Sequence, residues 1–321
     1  MTSLTNPTDK ALKVKSESRL RGVDLNLLTV FDAVMQEQNI TRAAQYLGMS
    51  QPAVSNAVAR LKVMFNDELF IRHGRGIQPT QRARQLFGPV RQSLQLVLNE
   101  LPGSVFDPQT STRTFKLALC SPSDLRFAPA ILRGIHQVAP HIQLQITADA
   151  DNQLADKLKY QEVDFVIDYM NFDGTGFCST EIFNDDLVVV SSATHPRLKS
   201  SISQAEFIQE QHAAMTQIEG VRTFYDYISE DLDCNCAYQG ASLSNILYVV
   251  SQSDMITVVP RWLLEGMPNP EQFNVYEYPY AEKSVSGFLS WHDSSEKDKG
   301  HIWMRDQLMM ICGETLAAAY K

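Results

Sequence analysis

Two short helical patterns meet at a three-residue turn near residue 48, and this pairing constrains the fold more than any other feature. The first pattern places apolar residues at i, i+3, i+4 and i+7, namely Ile40, Ala43, Ala44 and Leu47. It stops at Gly48, a residue suited to a left-handed helix end. Ser50 then provides an N-cap, and Pro52 occupies the following first turn, where its missing N–H costs nothing. Because the alanines permit close approach, the sequence predicts a helix-turn-helix.

A further helix is predicted before this pair, with Asp24 as its N-cap and helical apolar spacing as far as Met35. The helix after the turn presents an outer face made of Gln51, Pro52, Ser55, Asn56 and Ala59. This face holds amides and hydroxyls without carboxylates, and such side chains can bond to base edges in the major groove. A plain three-helix core with a polar outer face is the alternative interpretation.

The residues that follow predict a basic β-hairpin, or wing. Leu69–Arg72 and Ile77–Gln78 have strand character, and a turn with two glycines separates them. Arg72 and Arg75 on such a wing would reach the DNA backbone or the minor groove. The candidate DNA-binding residues are therefore Arg42, Ser50, Gln51, Pro52, Ser55, Asn56, Arg60, Arg72 and Arg75.

Charge is divided unevenly along the 321 residues, although the formal net charge is -9. Met1–Leu101 carries 13 Lys and Arg against 8 Asp and Glu, a balance of +5, whereas the remainder carries 15 against 29, a balance of -14. A basic first third on an acidic body is expected when only one domain meets phosphates. A merely solvated surface is the alternative, and the local motifs favour DNA.

A long helix capped by Thr80 is predicted after the wing. Its apolar residues alternate steps of four and three from Ala83 onward, which is a heptad-like seam. The candidate dimerisation residues are Phe87, Val90, Leu94, Val97 and Leu101. Packing of the same stripe within its own chain is the alternative.

Strand-like and helical segments then alternate through the rest of the chain. The first of them are strand Phe115–Leu119, helix Leu125–Val138, strand Ile142–Ile146, helix Asn152–Tyr160 and strand Asp164–Asp168. Repeated βα units predict a mainly parallel sheet with ligands at the carboxyl ends of its strands. Leu187–Val190, Leu243–Val250 and Met255–Val259 fit a second, similar lobe. Ser121 and Ser123 are the first-choice ligand residues, because they end the first strand and begin a helix whose free N–H groups can hold an anion.

Five motifs in the first third resemble the DNA-binding domain of LysR-type regulators in order and spacing. They are Leu25–Phe31, Ile40–Leu47, Ser50–Ser55, Leu69–Arg72 and Pro79–Thr80. Two longer stretches, Asp24–Asn39 and Val63–Glu68, are similar to one branch of that family, which is associated with broad gene control and opposition to nucleoid silencing. Lys62, Asn66 and Arg82-Ala83 depart from the usual family residues, away from the proposed reading face.

The resemblance implies an α plus α/β protein with a winged helix-turn-helix, a long linker helix and a two-lobed effector domain like a periplasmic binding protein. The chain would return to the first lobe through Phe288–Trp291 and a helix at Gly300–Ile311. A dimer or tetramer on interrupted inverted repeats in promoters is also implied. Residues carried over from the family as weaker effector contacts are Asp168, Tyr169, Ser191, Thr216 and Ser244. Ser251–Asp254 stands where the family often has a glycine-rich turn, so the identity of a ligand is not inherited.

The predicted boundaries follow from these patterns. They are a flexible polar tail at 1–22, the winged helix-turn-helix at 23–80, the linker helix at 81–101, a hinge at 102–113, lobe I at 114–184 with 283–315, and lobe II at 185–282.

Composition excludes several other classes of protein. With 44% hydrophobic and 20% charged residues, no long apolar run and no apolar leader, the chain is expected to be cytoplasmic and nucleoid-associated, with no membrane partner. Five scattered cysteines predict neither disulfides nor, apart from a weak Cys234/Cys236 pair, a metal site. No cofactor motif is present, and a hydrolase set of Ser121, His195 and Asp168 lacks a nucleophile elbow. No enzyme is therefore predicted.

The predicted function is an activator or repressor of transcription that binds double-stranded DNA, itself and a small-molecule effector, with interplay with RNA polymerase or a nucleoid silencer. The alternative is an effector-independent architectural or anti-silencing DNA-binding protein. Activation and repression both remain open at this point.

Overall fold

A computed structural model of the chain describes residues 24–74, 76–100, 106–147, 153–172, 174–216, 235–265, 267, 269–280 and 284–319. The chain divides into two compact units, with the division after residue 104. The predicted tail at 1–22, the first residues of the predicted hinge, Arg75, Leu101 and Cys234 lie outside the described residues. In the part of the chain that the structure describes, no helix is long and apolar enough to cross a membrane.

The first unit is a winged helix-turn-helix followed by a long helix. Its elements are helices α1 (Asn26–Glu37), α2 (Ile40–Leu47), α3 (Gln51–Phe65) and α4 (Gln81–Glu100), and strands β1 (Phe70–His73) and β2 (Gly76–Pro79). The turn between α2 and α3 has the predicted chemistry: Gly48 is left-handed at φ +64°, and the Ser50 hydroxyl accepts a bond from the Ala53 N–H. Local residue preferences and the tertiary fold agree here.

A small apolar core holds these elements together. Phe31 of α1, Ala43 and Ala44 of α2, and Val54 and Leu61 of α3 are at most 3% exposed. The short alanine side chains allow α2 to pack close to α1 and α3. One face of α3 is buried in this packing, and the face opposite to it is left in solvent. The wing is a two-stranded antiparallel hairpin.

The second unit is a mixed α/β structure. Its helices are α5 (Ser123–Val138), α6 (Leu154–Lys159), α7 (Gln204–Gln209), α8 (Leu243–Ser251), α9 (Arg261–Glu265) and α10 (Lys299–Ala319). Its strands are β3 (Thr114–Leu119), β4 (Gln143–Thr147), β5 (Phe165–Asp168), β6 (Phe177–Ser192), β7 (Gln211–Met215), β8 (Asn235–Gly240), β9 (Ile256–Pro260), β10 (Phe273–Glu277) and β11 (Ser284–His292).

Each of the two lobes contains a group of parallel strands. The sheet order is β4-β3-β5-β11-β6-β9-β7-β8, and β10 pairs with β6. The strands β3, β4 and β5 are mutually parallel, as are β7, β8 and β9, whereas β6 and β11 run antiparallel between the two groups. This architecture confirms the predicted fold class of a winged helix-turn-helix with a two-lobed α/β body.

The register of β6 locates the cleft between the lobes. Phe288 of β11 pairs with Asp168, the last residue of β5, and Leu187 of β6 pairs with Pro260, the last residue of β9. The carboxyl ends of the parallel strands in both lobes therefore face the middle of β6. Ligands of open α/β sheets bind at such carboxyl ends.

The sequence pattern located most of these elements but missed part of lobe II. Of β6, only Leu187–Val190 is predicted as a strand, whereas the strand runs for 16 residues through both lobes. The strands β7, β8 and β10 and the helices α7 and α9 carry weaker patterns and were not predicted. The last helix extends to Ala319, beyond the predicted end at Ile311.

Candidate nucleic-acid interface and inter-lobe cleft

The outer face of α3 is exposed to solvent. Gln51, Pro52, Ser55, Asn56 and Ala59 are all exposed. The opposite face is buried through Val54, Ala57, Val58 and Leu61. The side chains of Gln51, Ser55 and Asn56 make no hydrogen bond within the described residues, so their donors and acceptors are free to meet an external partner.

A groove of about 530 Å³ adjoins this face. Its walls come from three elements: Ser55 and Ala59 of α3, Thr41 at the start of α2, and Arg72 of the wing. The Gln38 carbonyl accepts a 3.1 Å bond from the Ile77 N–H, which ties the wing to the turn between α1 and α2. The wing and α3 are therefore held together as the walls of one concave surface.

The predicted basic contacts differ in their surroundings. The Arg42 guanidinium pairs with Glu37 at 3.2 Å and that of Arg60 with Asp24 at 2.7 Å, and both pairs are exposed. The hydrogen bond from Arg60 lowers the pKa of the Asp24 carboxyl. Arg72 is exposed and has no ion-pair partner in the described part of the chain. Its charge is therefore less compensated than that of the other two arginines.

The linker helix requires a correction. Phe87 and Val90 are 3% and 7% exposed and pack in the apolar core of the first unit, together with Ala83. Leu94 is half-buried against the same core, whereas Val97 is 62% exposed. The structure therefore supports the alternative interpretation for the first half of the stripe: Phe87 and Val90 are already covered within one chain. Among the described side chains of the stripe, Val97 is the one largely open to a partner.

Both first-choice effector residues lie at the cleft end of lobe I. Ser121 follows β3 and is half-buried, and Ser123 begins α5. Ser123 is fully buried, and its hydroxyl has no hydrogen-bond partner among the described residues. Burial of a hydroxyl without a partner is costly, so this position favours a polar occupant.

The end of β5 brings two further candidates to the cleft. Burial raises the pKa of the Asp168 carboxyl to about 6, against the lowering effect of a bond from Cys120 and of the backbone N–H of Tyr169. Tyr169 is 2% exposed, and its hydroxyl donates to Asp185 at 2.7 Å. That hydroxyl is engaged inside the protein.

The lobe II candidates separate into two groups. Thr216 follows β7 and Ser244 lies in the first turn of α8, so both are at carboxyl ends and both are exposed. Ser191 pairs with Ile256, the first residue of β9, which places it at the opposite end of the sheet from the cleft. It is fully buried and bonded to Tyr276 at 3.2 Å. Its expected role as an effector contact is therefore wrong, because the direction of β6 carries it away from the cleft.

Three residues at the cleft were missed by sequence reasoning. They are Arg126 of α5, Asp185 of β6 and Trp262 of α9, and they form one buried network with Tyr169. The available signal was the pair of acidic residues directly before the apolar run Leu187–Val190 of the same strand, because a buried charge requires partners. Only the fold shows which partners it has.

The residues proposed for a hydrolase do not come together. His195 follows the end of β6 that is remote from the cleft, and its ring contacts the Asp254 carbonyl at 3.0 Å, whereas Ser121 and Asp168 lie at the cleft. No group of three potential metal ligands is present among the described residues, and Cys236 is exposed.

A winged helix-turn-helix followed by a long helix and a two-lobed α/β unit is the architecture of a DNA-binding transcription factor with a ligand-binding type of domain. Residues 25–84 match the "bacterial regulatory helix-turn-helix protein, lysR family", and residues 108–309 match the "LysR substrate binding domain". The chain belongs to the LysR family of bacterial transcriptional regulators, as its motifs predict.

Individual relatives agree with this assignment. The HTH-type transcriptional regulator LeuO of Escherichia coli (strain K12) is 50% identical over 299 residues, which are 92% of this chain and 95% of LeuO. The family branch indicated by the two longer motif stretches is that of LeuO. A full-length OxyR variant from Pseudomonas aeruginosa has a TM-score of 0.75 at 20% identity, covering 90% of this chain and 97% of its own. CbnR complexed with its target DNA has a TM-score of 0.52 at 14% identity, covering 90% and 100%, and shares the fold.

The raised pKa of Asp168 should make the free energy of unfolding depend on pH. Its carboxyl titrates near 6 when folded but near 3.8 when unperturbed, so the folded state binds more protons between these values and stability falls as pH rises through them. From about pH 5 to pH 7 this group alone should lower the free energy of unfolding by about 1 kcal/mol. Asp168→Asn keeps an acceptor for the Tyr169 N–H and should lose about 1 kcal/mol less than the wild type over that range in urea unfolding. Equal losses would contradict the assignment.

Proposed function

We propose that this LysR-family regulator recognises promoter DNA in a sequence-specific manner through α3, with the wing on the backbone. The observation that carries the proposal is the exposed, carboxylate-free face of α3, whose amide and hydroxyl groups have no partners in the described chain and adjoin Arg72 in one groove. Amides and hydroxyls can bond to base edges, and an arginine on a wing supplies sequence-independent attraction to phosphates.

Gln51, Ser55 and Asn56 are the proposed base-reading residues, and Pro52 shapes the first turn that carries them. Ser50 serves chiefly as the cap of α3, because its hydroxyl is already engaged by the Ala53 N–H. Arg42, Arg60, Arg72 and Arg75 are proposed backbone contacts. For Arg42 and Arg60, DNA phosphates would compete with an existing acidic partner, so Arg72 is expected to contribute more to affinity.

The protein is further proposed to act as a dimer or tetramer on interrupted inverted repeats, because two copies of α3 then meet two half-sites. The proposed contact between copies is made by Leu94 and Val97 of the outer half of α4 and by Leu101, which lies outside the described residues. The cleft of the second unit, with Ser121, Ser123, Thr216 and Ser244, is the proposed place of a small-molecule effector. We further propose that the protein acts in the cytoplasm, on the nucleoid, and that it catalyses no reaction. It would change transcription through RNA polymerase or a nucleoid silencer.

Ser55→Ala tests base reading. The variant should lose about 1–3 kcal/mol of affinity for promoter fragments that the wild type protects, and much less for random DNA, because a base contact carries the sequence information.

Arg72→Ala should weaken both kinds of DNA alike and reduce the slope of log K against log salt by about 1. Fluorescence anisotropy at several salt concentrations measures both effects.

Ser93→Ala is the matched control, since Ser93 is an exposed serine of the same unit whose hydroxyl, within the described residues, bonds to the Pro89 carbonyl of its own helix. Its affinity for both kinds of DNA should remain that of the wild type. Equal losses on protected and random DNA for Ser55→Ala would remove the basis for sequence reading by α3.

Val97→Asp tests the linker helix. Its side chain is largely exposed in a single chain, so the substitution should leave the first unit folded but place a charge in the contact between copies. Sedimentation should show a smaller assembly, and affinity for paired half-sites should fall. Phe87→Ala is the contrasting variant, which should lower stability by about 3–5 kcal/mol through loss of core packing. An unchanged mass for Val97→Asp with intact DNA binding would place the copy contact elsewhere.

A further inference from the structure

One carboxylate in the cleft is bonded as a bound ligand would be. Asp185 is 2% exposed, and three side chains donate to it. The Arg126 guanidinium pairs with Oδ1, the Tyr169 hydroxyl donates to Oδ2 at 2.7 Å, and the Trp262 indole N–H donates to the same oxygen at 2.9 Å. A guanidinium together with neutral donors is a typical binding site for a carboxylate.

The donors come from both lobes. Arg126 belongs to the first turn of α5 and Tyr169 follows β5, so both are at the carboxyl ends of lobe I strands. Trp262 belongs to α9, which follows the carboxyl end of β9 in lobe II. Asp185 lies on β6 two residues before Leu187, which pairs with the end of β9. The network therefore lies at the place where the architecture predicts a ligand.

The surroundings make this network a closed site. The Arg126 side chain is 6% exposed, and its guanidinium carbon lies 4.9 Å from the centre of the Trp262 ring and 5.5 Å from that of Phe127. A buried guanidinium is costly without a counter-ion, and Asp185 is the acid that neutralises it. An external carboxylate could use these donors only by displacing Asp185.

We propose that the donors of Arg126, Tyr169 and Trp262 form an anion site in the cleft with room for one carboxylate. In the wild type, the side chain of Asp185 occupies this site as a built-in ligand. This inference rests on the proposed effector role of the cleft and deepens it. Because the internal carboxylate contacts donors from both lobes, it stabilises one arrangement of the lobes, as a bound acid would. In the wild type, small acids do not compete for this position, and the regulator holds that arrangement without them.

Removing the internal carboxylate should create a site for an external one. Asp185→Ala removes one carboxylate group, and formate is the anion of that size. The variant should melt roughly 10 °C below the wild type, because Arg126 is left as an uncompensated buried charge. Sodium formate at about 200 mM should raise its melting temperature by roughly 3 °C or more relative to sodium chloride of equal ionic strength.

Tryptophan fluorescence of the full-length protein is a suitable measurement, because Trp262, Trp291 and Trp303 are its three tryptophans and all belong to the second unit. The wild type should show no difference between formate and chloride. The double variant Arg126→Met, Asp185→Ala is the matched control, since it lacks the guanidinium and should also show none. Acetate, which is larger by a methyl group, should stabilise Asp185→Ala less than formate.

A folded Asp185→Ala without a formate-specific shift would overturn the inference, as would equal shifts in the wild type or in the double variant. If Asp185→Ala does not fold in chloride, the same comparison is made on refolding yield, which formate should increase and chloride should not; equal yields would overturn the inference. These measurements need no DNA. A negative result therefore leaves the DNA-reading role of Ser55 intact, and loss of that role leaves the formate result intact.

Discussion

Close packing of α2 against α1 and α3 is the interaction on which the DNA-binding unit depends. Ala43 and Ala44 are short enough for the helices to approach, and the core around Phe31 covers one face of α3 completely. The opposite face must then lie in solvent, with its amides and hydroxyls free. The same core anchors the first half of α4 through Phe87. One apolar cluster thus orients the exposed face of α3 and fixes the start of α4.

In the second unit, a single pair of antiparallel strands has the corresponding role. Strand β6 runs through both lobes and pairs along its first part with β11, and Gly287 permits this close pairing, since a Cβ there would lie 1.9 Å from the Phe183 ring. The carboxyl ends of two parallel sheets are thereby brought to the middle of β6. Asp185 is at that point and bonds to both lobes, which makes the cleft a place where a charge can bias the arrangement of the lobes.

Features that depend on residues close together in the chain were predictable, whereas features that depend on distant residues were not. The turn at Gly48 was predictable, because backbone conformation and capping depend on adjacent residues. Helical periodicity also showed that Phe87 and Val97 share a stripe, but not which partner covers each of them. Ser191 was carried over from the family as an effector contact, and the sequence pattern could not correct this because it contains no information on the direction of β6 within the sheet. Asp185 was missed because its donors are 16 to 77 residues away in the chain.

Reading of a defined DNA sequence by α3, with the wing on the DNA backbone, is tested most directly by selection from a random DNA pool with the purified full-length protein. Repeated rounds at a moderate salt concentration should enrich one interrupted inverted repeat whose half-sites are about one helical turn, or a multiple of it, apart. A variant with Gln51, Ser55 and Asn56 all replaced by alanine should retain DNA but enrich no such repeat. Failure of the wild type to enrich any sequence, with DNA still bound, would contradict the account.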